Sequence, residues 1–257
     1  MSLGRRGWLA GAGASLSALF LAGCDKLAGQ SQVVKVIDTA EGLNRKVQRL
    51  ILGPRTLAPE FSEQDISPFF KPNGSIDPSD DDYRALADKG FAEWRLVVDG
   101  LVERPLSLSL ADVRRLPART QITRHDCVEG WSCIGKWSGA RLAPLLQMAA
   151  LKPAAKHIVL WCADTLDPMA EDGQQKYYET LDLIDAFHPQ TILAYDMNDK
   201  PLAVAHGAPL RLRAERHLGY KQAKYVMRLE AVADFAHIGA GQGGFWEDRG
   251  YERYAGI

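Results

Sequence analysis

The chain has 257 residues, 46% hydrophobic and 25% charged, a globular balance that argues against disorder and against a bundle of membrane-spanning helices. Lys and Arg total 31 against 32 Asp and Glu, with no long basic run, so no field or stripe favours nucleic acid and no nucleic-acid partner is expected.

At the start, Arg5 and Arg6 precede an apolar, small-residue run from Trp8 to Ala22 that lacks acids, the layout of an export signal. The arginine pair followed by Gly7, Trp8 and Leu9 resembles a twin-arginine signal, which exports proteins already folded around a bulky cofactor. Leu21-Ala22-Gly23-Cys24 resembles a lipoprotein box, in which Cys24 becomes a lipidated first residue. Residues 1–23 are therefore read as a signal, and the mature chain as periplasmic and lipid-anchored to a membrane. Cys127, Cys133 and Cys162 remain, and an odd number of thiols in an oxidising compartment leaves one without an intramolecular partner.

Residues 24–60 read as a tether and N-terminal wrap, broken by Pro54 and Pro59, and residues 61–257 as the main domain. Asp77, Asp80, Asp81 and Asp82 lack the glycine and distal glutamate of a calcium loop and read as a solvated acidic turn. Trp94 to Val98 reads as a strand, Asp99-Gly100 as a turn and Leu101-Val102 as the return. Ser109 is placed to cap a short helix through Val113 to Leu116, stopped by Pro117, and Thr120 to Thr123 reads as a strand running into Cys127. Leu142, Leu145, Leu146 and Ala149 recur at helical spacing, and His157 to Trp161 reads as a buried strand. Ile192 to Tyr195, Leu210 to Leu212 and Tyr225 to Val232 read as further strands. The class is α+β, mixed sheets with peripheral helices in a single domain. Gly239 to Gly244 superficially matches a dinucleotide loop but lacks the following strand-helix-strand unit and reads as a flexible turn.

The informative stretch is Arg124-His125-Asp126-Cys127-Val128-Glu129-Gly130-Trp131-Ser132, a cysteine at a strand end among charged groups. A nearby cation favours thiolate, the form that acts as nucleophile or metal ligand. Three chemistries compete. A cysteine hydrolase needs a histidine base, for which His125 is too close along the chain while His206 and His217 remain candidates. A zinc site needs cysteine pairs two to four residues apart, and Cys127 to Cys133 has five between. The third is a redox metal that uses one thiolate.

Cys127-Val128-Glu129-Gly130-Trp131-Ser132, followed by Gly135-Lys136-Trp137-Ser138-Gly139, resembles the molybdenum-binding segment of the sulfite oxidase family, closest to its periplasmic methionine-sulfoxide reductase branch. His206-Gly207-Ala208-Pro209-Leu210-Arg211 through Gly219-Tyr220-Lys221-Gln222-Ala223-Lys224 resembles the same family's pterin-phosphate segment. The resemblance implies a sulfite-oxidase-type molybdopterin-binding fold holding one molybdenum and one molybdopterin, with Cys127 as the metal's protein ligand. It further implies that Arg211 and Lys224 hold the pterin phosphate, that the backbone at Gln222 and Ala223 closes over it, and that Asn73 contacts the pterin. Glu129 corresponds to a glutamate of the reductase branch and is read as a proton relay or pocket-shaping residue. His206 stands where that branch has asparagine, and Cys162 where it has threonine facing the pterin; both are carried over as cofactor-lining residues. A disulfide between Cys133 and Cys162 stays open.

The implied chemistry is two-electron oxygen-atom transfer on a small-molecule or protein-bound oxidised substrate. No c-type haem motif occurs, so electrons are expected to pass through a separate haem or quinone-linked protein. The family's dimerisation domain has no counterpart, which points to a monomeric catalytic subunit. The alternatives are a sulfite-oxidising enzyme, which calls for an arginine cluster drawn from Arg124, Arg213 and Arg216, and a non-catalytic lipoprotein of the same fold acting as a binding or scaffold subunit.

Overall fold

The computed structural model describes residues 42–43, 46–51, 53–166 and 175–256; Arg5, Arg6, the signal-like run and Cys24 lie outside the described residues. The chain divides into two units, residues 1–53 and 54–257. In the first, the described residues 42–43 and 46–51 are helical.

The second unit contains two five-stranded sheets. Its strands in chain order are β1 (Arg95–Gly100), β2 (Leu106–Ser109), β3 (Ala118–Asp126), β4 (Ser132–Arg141) and β5 (His157–Thr165). They continue with β6 (Lys176–Asp182), β7 (Ile192–Met197), β8 (Lys200–Pro201), β9 (Arg211–Arg213) and β10 (Val226–Val232). One sheet has the order β2-β1-β10-β5-β6, and the other runs β3-β4-β7-β8 with β9 on the flank of β7. β1 and β10 pair in parallel. The long hairpin β3–β4 is antiparallel and in unbroken register from Ala118↔Ala140 to Asp126↔Ser132.

Period-two alternation on β7 divides the interior. Leu193 and Tyr195 join the main core, while Ile192 and Ala194 face the other way and pack with Trp137 and Phe70. The helix Leu142–Ala149 buries all four of its spaced apolar residues completely in that main core. Each of its leucines contributes about 2 kcal/mol through apolar area removed from water. Pro144 falls in the first turn, where a missing amide costs nothing, and Ala150 ends the helix in a left-handed conformation. The short helix Leu110–Arg115 opens on the expected Ser109 cap, with Asp112 completing a reciprocal capping box.

Two local expectations are corrected, and the disulfide left open in the sequence is answered. The acidic residues at 80–82 are not a turn: the Asp80 side chain accepts from the Tyr83 amide 2.8 Å away and caps the helix Asp81–Asp88. Asp99-Gly100 does not turn a hairpin, because β1 continues through Gly100 alongside β10 and the return strand begins only at Leu106. Cys133 and Cys162 are not bridged; all three described cysteines are free thiols, Cys133 on β4 and Cys162 on β5 of the other sheet. β4 and β6 were not foreseen, since Ser132 to Arg141 mixes glycines, serines and charges without an apolar alternation.

Gly139 marks the closest approach within the second sheet. A Cβ there would lie 2.3 Å from the Leu193 carbonyl oxygen and 2.5 Å from the Ala194 Cα, at the point where β4 and β7 slip register. Backbone, unlike a side-chain tip, cannot swing away. Gly139→Ala is therefore expected to cost about 2–3 kcal/mol, an overpacking penalty. A urea denaturation midpoint equal to that of the parent protein would contradict this.

Candidate active site

β3 delivers Cys127 to the head of a tight loop. The Cys127 amide donates to the Trp131 carbonyl (2.9 Å), the Gly130 amide donates to the Cys127 carbonyl (3.1 Å), and Gly130 supplies the required left-handed φ of 81°. Asp126 braces the base, taking a 2.5 Å hydrogen bond from the Ser132 hydroxyl and pairing with Arg124 at 2.8 Å. The thiol opens into a cavity of about 140 Å³. Burial pushes the Cys127 thiol up, opposed first by the Glu129 amide; the Glu129 carboxylate adds a smaller push upward, and Lys71 and the Val128 amide smaller ones downward. No histidine is hydrogen-bonded to it: His125 Nδ1 faces Arg213 Nη1 at 3.0 Å, and His217 faces Asp185 at 3.0 Å.

Of the residues expected at the site, Cys127, Glu129, Asn73, Gln222 and Lys224 line this cavity. Glu129 is at the exposed rim, where it accepts from Trp131 Nε1 (2.9 Å) and Lys71 Nζ (3.3 Å); these bonds hold its carboxyl below the usual range. Gln222 turns its side chain inward, donating to the Ala214 and His217 carbonyls (both 2.9 Å) and accepting from the Ala214 amide (2.8 Å), while its backbone N–H donates to the Gly219 carbonyl at 3.1 Å. Ala223 is buried, its carbonyl accepting from the Leu212 amide at 2.7 Å.

Arg211, His206 and Cys162 are not among the lining residues. Arg211 is wholly buried on β9, with its guanidinium 4.9 Å above the Trp137 ring and one nitrogen donating to the His206 carbonyl at 3.0 Å; Nε and Nη2 have no partner. The His206 ring stands edge-on to Phe70 at 5.8 Å, with Nδ1 buried and unpartnered. Cys162 is turned into the main hydrophobic core, where burial raises its thiol far above normal. Regular strand alternation would put Asp164, two residues further along β5, on the same face as Cys162; the register of β5 against β6 slips between Trp161 and Thr165, and Asp164 reaches the cavity wall. Asp164 was missed by sequence reasoning; the only signal was an acid ending an otherwise apolar strand.

Electrostatically the site is unfinished. Among the described residues neither Arg211 nor Lys224 makes an ion pair, whereas the neighbouring Arg213 is neutralised by Glu215 at 2.5 Å, both side chains fully buried. Burial and then Arg211 pull Lys224 down to about 7, with Asp164 opposing. Burial and then Arg213 also lower Arg211, although a guanidinium keeps its proton at neutral pH. Burial drives Asp164 up to about 7, opposed by Lys224 and its own amide, and leaves its Oδ1 without a partner, like Oδ1 of Asn73. Two uncompensated buried cations and several orphaned polar atoms are costly unless a ligand completes them. The groups left open call for a ligand with an anionic group and hydrogen-bond donors, seated beside the Cys127 thiol. Among the described residues no group of three His, Cys, Asp or Glu side chains could hold a metal.

The oxidoreductase molybdopterin-binding domain model matches residues 84–237. The chain belongs to this family. A protein of Azospira oryzae named as a protein-methionine-sulfoxide reductase subunit, YedZ1, is 34% identical over 92% of this chain and 81% of its own length. The protein-methionine-sulfoxide reductase catalytic subunit MsrP of Campylobacter jejuni is 32% identical over 53% of this chain, which spans 48% of that relative. The sulfane dehydrogenase SoxCD of Paracoccus pantotrophus matches 56% of this chain and 39% of its own at 24% identity, with a TM-score of 0.49. The protein is a molybdopterin oxidoreductase, and the unsatisfied groups of the cavity fit that cofactor.

His206 supplies a test of this electrostatic balance. Burial, then Arg211 and Lys224, pull its imidazole from 6.5 down to about 4. Between these values the unfolded chain binds more protons, so stability rises with pH across the window and is lost as pH falls from 6.5 toward 4. In cofactor-free protein, His206→Gln is expected to flatten this part of the stability profile. Urea midpoints at neutral and mildly acidic pH that fall equally in both proteins would contradict it.

Proposed function

We propose that this chain is the catalytic subunit of an exported sulfoxide reductase, acting on a methionine sulfoxide or a similar neutral sulfoxide. Cys127 holds the molybdenum by one thiolate, a soft donor suited to a redox metal. Arg211 and Lys224 take the pterin phosphate through charge-assisted bonds. Asn73 and the backbone at Gln222 and Ala223 enclose the pterin, with His206 behind them. When bound, the cofactor supplies two-electron oxygen-atom transfer, which with two protons converts a sulfoxide into a thioether and water. Glu129, at the rim beside Cys127, is placed to orient substrate and to pass a proton inward. The export signal, the lipid on Cys24 and a separate haem or quinone-linked electron donor are part of the same proposal, resting on the sequence features at Arg5-Arg6 and Leu21-Ala22-Gly23-Cys24 and on the absence of a haem attachment motif.

The observation that carries the substrate class is the charge of the mouth. Val128, Leu166, Trp246 and Tyr251 give it apolar walls; the one lysine that lines it, Lys224, is assigned above to the pterin phosphate, and Lys71, outside the lining, is engaged by Glu129 at 3.3 Å. Arg124 is paired with Asp126, Arg213 with Glu215 and Arg216 with Asp185, and none of the three lines the cavity. A sulfite dianion would find no available guanidinium there, whereas a neutral, dipolar sulfoxide on a thioether chain suits an apolar slot with a polar floor.

Protein from cells competent in cofactor synthesis is expected to carry about one molybdenum per chain and to reduce a methionine-sulfoxide peptide with an artificial electron donor. Cys127→Ser should lower that turnover by more than about a hundredfold, beyond the range seen for residues that only support a ligand. Elemental analysis decides the metal, and turnover on sulfoxide against sulfite decides the substrate. A metal-free wild-type protein would turn the reading toward a binding or scaffold subunit.

A further inference from the structure

Residues 70–76 run past the cavity without secondary structure, and among the described residues no backbone-to-backbone hydrogen bond ties them to the rest of the protein. Their leading end is pinned by Phe70, which is buried with its ring edge-on to Trp137 at 5.3 Å and to His206 at 5.8 Å. Beyond Phe70 the segment is held through side chains, its own and those below it: Lys71 pairs with Glu129 at 3.3 Å and lies over the Trp131 ring at 5.1 Å. Asn73 Nδ2 donates to the Gly219 carbonyl at 3.4 Å. The Ser75 carbonyl accepts two hydrogen bonds, one from the Lys224 ammonium and one from the Tyr225 hydroxyl at 2.8 Å. Asn73, Gly74 and Ser75 all line the cavity, so this segment forms one of its walls.

Tyr225 is built for this contact. It is wholly buried at the start of β10, its ring stands 5.2 Å edge-on to Tyr83, and the Tyr83 hydroxyl is fixed by the Ala208 carbonyl at 2.6 Å. Its hydroxyl is thus aimed at Ser75 by a rigid support. Lys224 has a double attachment, since its ammonium bonds both to Ser75 and, at 3.0 Å, to the Ala205 carbonyl, while no carboxylate lies within ion-pair distance among the described residues. An anion beside Lys224 would keep the ammonium charged, and a charged donor makes the stronger hydrogen bond to Ser75.

We propose that residues 70–76 are a strap that closes over the bound cofactor, latched at Ser75 by Tyr225 and Lys224, with Tyr225 as a positioning residue that has no contact with the chemistry. Because Lys224 serves both the ligand's anionic group and the strap, seating the cofactor and closing the strap are one coupled event. With the cofactor absent, Lys224 resists carrying its charge in a buried site beside Arg211, and the latch is weakened. This inference rests on the cofactor-binding reading of the cavity.

The test is hydrogen exchange of the strap amides in the full chain, purified with cofactor and from a host unable to make it, together with Tyr225→Phe in the loaded form. The strap of the loaded wild type should exchange at least about tenfold more slowly than that of the cofactor-free protein, the effect of strengthening one or two hydrogen bonds. Tyr225→Phe should lose about five- to tenfold of that protection and release molybdenum correspondingly faster on dialysis. The amides of the helix Leu142–Ala149 serve as the internal control for folding. Equal strap exchange with and without cofactor would overturn the inference, and this wild-type comparison stands even if the variant fails to fold. So would a folded Tyr225→Phe with unchanged protection and metal release. Elemental analysis separates the two levels, since a wild type that never carries molybdenum removes the cofactor reading and the strap with it, whereas a loaded protein with an indifferent strap removes the strap alone.

Discussion

The uncompensated charge of Arg211 and Lys224 is the constraint around which the cavity is organised. Burying a cation without a partner costs several kcal/mol, and a fold retains such groups only where a ligand restores the balance. The contrast with Arg213 two residues away is informative. Arg213 is equally buried but is forked onto Glu215 and bonded to His125, and it therefore belongs to the scaffold. The same strand β9 thus carries one arginine neutralised by a carboxylate and one that makes no ion pair among the described residues.

That asymmetry is supported by how the walls are built. The hairpin β3–β4 sets Cys127 at one side of the cavity through backbone bonds, and the loop before β10 sets Lys224 at the other. Trp137 lies beneath both guanidiniums, 4.9 Å from Arg211 and 4.5 Å from Arg213, supplying an aromatic face in place of a carboxylate. The strap and the C-terminal aromatics Trp246 and Tyr251 complete the enclosure from outside the sheets. Rigid strands place the thiolate and the cations, and less regular segments cover them, a division that allows a bulky cofactor to enter a preformed site.

A second buried ionic group, Glu179, Lys221 and Glu247, differs in kind. Lys221 bonds to both carboxylates, and Glu247 belongs to the closing segment of the chain. Burial drives Glu179 up to about 8 despite Lys221, so this cluster is closer to neutral than its formal charges state. It fastens the segment bearing Trp246 to β6 and the loop after β9, in the same way that Asp185 fastens Arg216 and His217. These are structural uses of charge, paid for within the protein.

Elements with a strong local period were legible from the sequence: the helix at 142–149, the strands around 157, 192 and 226, and the Ser109 cap. Family and cofactor were legible as well, because the thiolate segment and the Arg211 to Lys224 segment are contiguous strings of residues. Local pattern failed where tertiary pairing decides the outcome. β4 has no apolar alternation and exists through its hydrogen bonds to β3 and β7, and β1 passes through Asp99-Gly100 because β10 pairs with it in parallel. Side-chain direction was likewise settled only by the fold, with Cys162 in the core and Asp164 at the cavity wall across the register slip between Trp161 and Thr165. The sequence by itself determined which residues can bind a soft metal and a phosphate, since that is a property of thiol, guanidinium and ammonium. Only the tertiary structure decided which arginines are neutralised and which are left open, since desolvation and pairing depend on neighbours far apart along the chain.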